Sequence, residues 1–188
     1  MNTLTRRSFL GASTLALVGC GATAGNNGLA AKGAAQIEAR VKATRDFLAS
    51  TYPGTQALEQ RAAGVLIMPL LTEAGFGFGG GYGRGALQIQ GVSVDYYAAA
   101  KASFGLQIGA QQYGHALYFM TPEALARFRN SAGWAAGADL RYATPKDGAA
   151  IGRDTTEIGA PVEAFVFGQQ GLIVGATLSG LKYSRIIP

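Results

Sequence analysis

The chain has one cysteine and one histidine in 188 residues. A single cysteine excludes a disulfide within the chain, so the folded part stands on its apolar core alone. One histidine with one cysteine falls short of the three or four nitrogen and sulfur ligands that a protein zinc site uses, and no metal site is expected. Charged residues make up only 14%. No dense Lys/Arg run occurs, and the net charge of +5 is too small to argue for nucleic acid. No apolar run approaches the roughly 20 residues that a membrane-spanning helix needs. A Gly-Lys-Ser/Thr phosphate loop, a GxSxG nucleophile elbow and a DxDxDG calcium loop are all missing.

What is present begins at residue 1. The opening is MNTLTRRSFLGASTLALVGC. Arg6 and Arg7 form a basic segment, and an apolar stretch from Phe9 to Val18 has the length of a signal-peptide core. TRRSFLG is close to a twin-arginine export signal. LVGC, residues 17–20, resembles a bacterial lipobox, in which small residues before the cysteine permit cleavage and the thiol takes a diacylglyceryl group. Residues 1–19 are therefore expected to be a signal peptide and Cys20 the lipidated first residue of a mature chain of 169 residues (188 less 19). Losing Arg6 and Arg7 leaves 14 basic against 11 acidic residues, a mild +3. Several acyl chains on one residue, at about 0.8 kcal/mol per buried CH₂, give firm anchorage. Gly21, not Asp, follows the cysteine. In a bacterium with two membranes that favours sorting to the outer membrane, with the domain in the periplasm.

Residues 20–35 are small and polar and read as a flexible tether; residues 36–188 read as one domain. Gln36 to Ser50 has helical periodicity, with Ile37, Val41, Thr44 and Leu48 on one stripe and Phe47 widening it. Pro53-Gly54 breaks this helix, and Thr55 is placed to cap a short second one through Ala63. Gly64 to Leu71 (GVLIMPLL) is a continuous apolar run, as in a buried strand. In AGFGFGGGYGRGALQIQG, Gly75, Gly77, Gly79, Gly81, Gly83 and Gly85 are odd-numbered, while Phe76, Phe78, Tyr82 and Arg84 are even-numbered. A period of two puts bare backbone on one face of a strand and aromatics on the other. A bare face permits close approach by another element or a ligand, or a sharp bend.

Val92–Ala100, Ala102–Gln112 and His115–Met120 read as further strands. Thr121-Pro122-Glu123 reads as a helix start, with the helix ending near Asn130. Residues 131–160 read as largely loop. Val162–Phe167, Gly171–Leu178 and Leu181–Ile186 read as closing strands, with a turn at 168–171. The expected class is α+β: amphipathic N-terminal helices, then a curved, Gly-rich antiparallel sheet of barrel or sandwich type with one middle helix.

The candidate chemistry is thin. His115 would need Asp95 or Asp139 to orient it in a triad, and the plainer reading is a polar strand residue. Asp139, Asp147, Asp154 and Glu157 gather in the expected loop without calcium-loop spacing, and a solvated loop is the default. Nothing in the sequence places Asp95 beside Glu163. Trp134 reads as a lid on the core, with a membrane-interface anchor as the alternative. No cofactor is implied. Arg40, Lys42 and Arg45 flank the apolar stripe of the first helix, a pattern that suits anionic lipid as well as a solvated face.

The segments GVLIMP (64–69), AGFGFGGGYGRG (74–85), ASFGLQIGAQ (102–111), LYFMTPEALARFRNSAGWAAGAD (117–139) and AFVFGQQGLIVGATLSG (164–180) resemble the SYLF lipid-binding domain, known from eukaryotic endocytic actin regulators and from stand-alone bacterial lipoproteins. The resemblance spans about residues 36–186. It implies binding of phosphoinositide or other phospholipid through an amphipathic N-terminal helix and basic residues, and it implies no catalysis. The fused partner-binding modules of eukaryotic members are missing here, and export excludes actin as a natural partner. The first helix is near neutral, with Arg40, Lys42 and Arg45 set against Glu38 and Asp46, which argues against strong phosphoinositide selectivity. The expectation is a non-enzymatic, membrane-tethered envelope lipoprotein that binds phospholipid. The expected lipid contacts are Arg40, Lys42, Arg45 and Arg61, and more weakly Lys182 and Arg185. The alternative is an envelope scaffold whose glycine-lined face docks a protein partner.

Overall fold

The computed structural model describes residues 26–137, 140–143, 160–171 and 178–188. Helix α1 runs from Asn26 to Thr51 and α2 from Gly54 to Arg61. Strands β1 (Gly64–Ile89) and β2 (Val92–Phe119) follow, then α3 (Pro122–Asn130), β3 (Trp134–Ala135), β4 (Leu140–Ala143), β5 (Val162–Gly171) and β6 (Lys182–Ile186). The class is α+β, as expected, with one curled sheet carrying all six described strands.

β1 and β2 make one long hairpin, paired from Gly64↔Phe119 to Ile89↔Val92. Gln90 (φ 50°) and Gly91 (φ 77°) close it. Both have positive φ, as a two-residue turn matching the strand twist requires. β2 is the hub: its other edge holds β6 along Tyr96–Ala100 and β5 along Gln111–Phe119. β3 extends the sheet beyond β6. β4 joins β5 in parallel, so the sheet is mixed and not antiparallel throughout.

The glycines explain the curl. β1 bends until its second half lies over its first. A Cβ on Gly83 would sit 2.6 Å from the Leu70 carbonyl oxygen, and one on Gly81 would sit 2.8 Å from Cγ of Glu73. At Gly85 the clash would be with the carbonyl of Ile67 and the sulfur of Met68. The bare face expected from the odd-numbered glycines is thus filled by β1 itself. Only backbone without Cβ allows that approach.

The sheet separates two cores. Alternate residues of β1 and β2 point to opposite faces. Leu66, Met68, Tyr97, Tyr113, Leu117 and Phe119 pack inside the curl with Leu125 and Phe128 of α3. Val65, Ile67, Ala86, Ala116 and Tyr118 pack outward against Ile37, Val41 and Leu48 of α1 and Leu58 of α2. The apolar run follows from this over residues 64–68, because a strand covered on both faces has no polar side.

Several local expectations need correction. α1 begins at Asn26, so residues 26–35, expected as tether, are helical. Alanines at 30, 31, 34 and 35 favour that extension, and the carboxy-terminal Pro188 lies against Gly33. Thr55 does not cap α2. It sits inside that helix, and its hydroxyl donates to the carbonyls of Tyr52 (2.8 Å) and Leu48 (3.3 Å), closing the end of α1. The expected turn at 168–171 is strand, with Gly168 at φ 64° absorbing the irregularity. The expected loop at 131–160 contains β3 and β4. Thr121 does cap α3: its hydroxyl accepts from the Ala124 amide at 3.1 Å.

Candidate functional site

The outer face of β1 is the most unusual surface among the described residues. Phe76 is 79% exposed, Phe78 76% and Tyr82 55%. They are the even-numbered partners of the glycines. The curl that turns the glycines inward necessarily turns these rings outward. Water-facing aromatics in a row cost solvation free energy, at about 25 cal/mol per Å² of apolar surface. A cluster of this kind marks an interaction surface more often than an accident of packing.

Arg84 continues the same face. Beside it a cleft of about 180 Å³ opens between α1 and the folded-back part of β1. Arg40 and Gln36 line it from the helix side. Leu70, Thr72, Tyr82 and Arg84 line it from the strand side. Arg40 and Arg84 form no ion pair among the described residues. Arg40, Arg84 and Tyr82 therefore line one open recess.

The other expected lipid contacts are spread over the molecule, and most have protein partners. Lys42 pairs with Asp46 at 2.6 Å along the exposed face of α1. Arg45 pairs with Glu59 at 2.6 Å, tying α1 to α2, and lines a larger polar cleft of about 650 Å³ with Gln56, Gln60 and Gln88. Arg61 donates to the carbonyl of Ala57. Lys182 is exposed on β6, with its stem over Gly133. Arg185 lies 3.5 Å from Asp95, which also takes a 2.9 Å bond from Arg129. The structure thus brings Arg40 to Arg84 and leaves the others apart. Arg84 and the aromatic row were visible in the alternation of the sequence, but nothing there placed Arg84 beside α1. Cys20, Arg6 and Arg7 lie outside the described residues, as do Asp139, Asp147, Asp154 and Glu157.

Inside the curl a polar cluster is sealed from solvent. Glu73, 7% exposed, accepts 2.6 Å bonds from Gln111 Nε2 and the Tyr113 hydroxyl, and Lys101 Nζ lies 3.6 Å away. His115 is fully buried. Its Nε2 is 2.8 Å from the Tyr183 hydroxyl, and its Nδ1 has no hydrogen-bond partner among the described residues. Burial pushes its pKa down to about 3, so the ring is neutral. An imidazole sealed from solvent, with its basicity lowered this far and no carboxylate bonded to it among the described residues, is poorly suited to act as the base of a triad. Asp95 is committed to two arginines. Glu163 lies opposite Tyr118, at the other end of β2, so the two carboxylates do not meet. Trp134 packs against Phe119, Phe128 and Tyr183, as a core lid. No group of three or more His, Cys, Asp or Glu suited to a metal ion occurs among the described residues. No helix among them is long and apolar enough to cross a membrane.

Residues 100–185 match the protein family described as Ysc84, Las17-binding protein actin regulator. That is the SYLF domain which the sequence resembles, and the match runs from Ala100 in β2 to Arg185 in β6. No curated protein matches the chain.

Proposed function

We propose that the protein is an exported lipoprotein whose SYLF domain rests on a phospholipid membrane and catalyses no reaction. In this reading Arg6 and Arg7 direct export, Cys20 carries the acyl anchor, and the domain works in the cell envelope, at the outer membrane facing the periplasm. One observation carries the membrane contact: Phe76, Phe78 and Tyr82 stand exposed in a row on the outer face of β1. Aromatic rings of this kind favour the boundary between headgroups and acyl chains. The mild positive charge of the domain suits an anionic surface, and the family match agrees with lipid binding. The sealed His115, and the separation of Asp95 from Glu163 among the described residues, support a non-catalytic role.

Flotation of residues 21–188 with liposomes tests this, because it removes the anchor and leaves only the domain. The domain is expected to float with vesicles, and Phe76→Ser with Phe78→Ser to remain at the bottom of the gradient while keeping its circular dichroism spectrum. If residues 21–188 do not float with neutral or anionic vesicles, the domain makes no membrane contact of its own, and an envelope protein becomes the partner to seek.

A further inference from the structure

We infer that the recess between Arg40 and Arg84 binds the phosphate of an anionic phospholipid whose acyl chains lie along Tyr82, Phe78 and Phe76. This rests on the membrane reading and adds a headgroup site to it. Three features of the recess point the same way. First, its two cations come from different elements, α1 and β1, so the fold assembles them; no sequence run does. Second, neither is neutralised by a carboxylate among the described residues, although Lys42, Arg45, Lys101, Arg129 and Arg185 all are. Two arginines that line one space without a carboxylate between them are like charges, and an anion bound there relieves their repulsion. Guanidinium forks also match phosphate oxygens in pairs. Third, the walls are amphipathic. Leu70 (41% exposed) and Tyr82 (55% exposed) border the recess, and Tyr82 shares its strand face with Phe78 and Phe76. A free phosphate needs the cations and gains nothing from these rings. A phospholipid uses both, with its phosphate at the level of the arginines and its chains at the level of the aromatics. The volume of about 180 Å³ admits a phosphodiester with part of its glycerol and excludes a whole lipid, so the chains must leave along the aromatic row.

The test uses the full chain with Tyr82→Trp in vesicles of mixed phosphatidylcholine and phosphatidylglycerol. In one set only the phosphatidylglycerol carries brominated acyl chains; in the other only the phosphatidylcholine does. The signal of the unsubstituted chain, which comes from Trp134, is subtracted. Brominated phosphatidylglycerol is expected to quench the new tryptophan well beyond its share of the bilayer. Arg40→Gln and Arg84→Gln are each expected to lower that preference about fivefold, the equivalent of about 1 kcal/mol per arginine at an anionic surface. Lys42→Gln is expected to leave it unchanged. Equal quenching by the two lipids, or a preference indifferent to both arginine variants, overturns the headgroup site while leaving the membrane contact standing. Absence of quenching by either lipid overturns the membrane contact as well.

Discussion

The Tyr113 hydroxyl donates a 2.6 Å hydrogen bond to Oε1 of Glu73, from β2 to β1 across the inside of the curl. The other carboxylate oxygen takes Gln111 at 2.6 Å, and Lys101 balances the charge at 3.6 Å. Gly81, on the returning half of β1, lies directly over the Glu73 side chain. The cluster therefore ties three segments together where backbone curvature is greatest.

Glu73→Ala should destabilise the domain by about 2 kcal/mol, because it removes the acceptor that Gln111 and the buried Tyr113 hydroxyl share and the charge opposite Lys101. Glu73→Gln should cost less, since it keeps an acceptor for Tyr113. Urea unfolding followed by circular dichroism checks both. Equal stability of Glu73→Ala and the unsubstituted chain would mean that the curl closes without this cluster.

The glycines make a sharper comparison. Gly83→Ala places a Cβ 2.6 Å from the Leu70 carbonyl, a backbone atom that cannot step aside. Gly80→Ala meets nothing nearer than the Lys101 carbonyl at 3.5 Å. The first should cost several kcal/mol or prevent folding, as overpacking against fixed backbone does. The second should be nearly neutral. Thermal unfolding of the two variants side by side reads the difference.

That contrast also marks how far the sequence could be read. Alternation of glycine and aromatic residues from 75 to 85 identified a strand with one bare face, and the bend was among its stated uses. What fills the bare face is residues 67–73 of the same strand, a contact set by long-range curvature that periodicity does not encode. The apolar run at 64–71 was legible as buried, and it is covered on both faces from Gly64 to Met68, while Leu70 stays exposed. The start of α1 was not legible. Residues 26–35 combine helix-favouring alanines with Gly28 and Gly33, and Pro188 at the far end of the chain lies against Gly33. At the site, Arg40 was legible as a basic flank of an apolar stripe. Its neighbour Arg84 is 44 positions away in sequence, and only the fold joins them.

Burial of His115 gives the stability a pH dependence of definite sign. The folded pKa, about 3, lies below the unfolded value near 6.5. Between those values the unfolded chain binds a proton that the folded chain does not. Stability should therefore be full above about pH 6.5 and fall as pH drops, by about 1.4 kcal/mol per unit from this group. Carboxylates add their own dependence at the acid end. The difference between the unsubstituted chain and His115→Gln isolates the histidine: the variant should start from lower stability and lose less between pH 6.5 and pH 5. Parallel profiles would show that the ring gains a proton partner on folding.

Arg45 separates a structural charge from a lipid-facing one on the same helix. Its guanidinium is 2.6 Å from Glu59 and lies over Gly91 in the hairpin turn, so it joins α1, α2 and the β1–β2 turn. Arg45 is about two-fifths exposed, so the pair itself contributes well under 1 kcal/mol. Arg45→Glu sets two carboxylates against each other and should lower the unfolding midpoint measurably, and Glu59→Arg in the same chain should restore it. Neither change touches the recess at Arg40 and Arg84. Preference for phosphatidylglycerol should therefore survive the double exchange, whereas charge reversal at Arg40 should remove the preference and leave the unfolding midpoint in place. If both arginines instead shifted stability and lipid preference together, the membrane would be contacting the whole of α1, and the recess would have no special part in it.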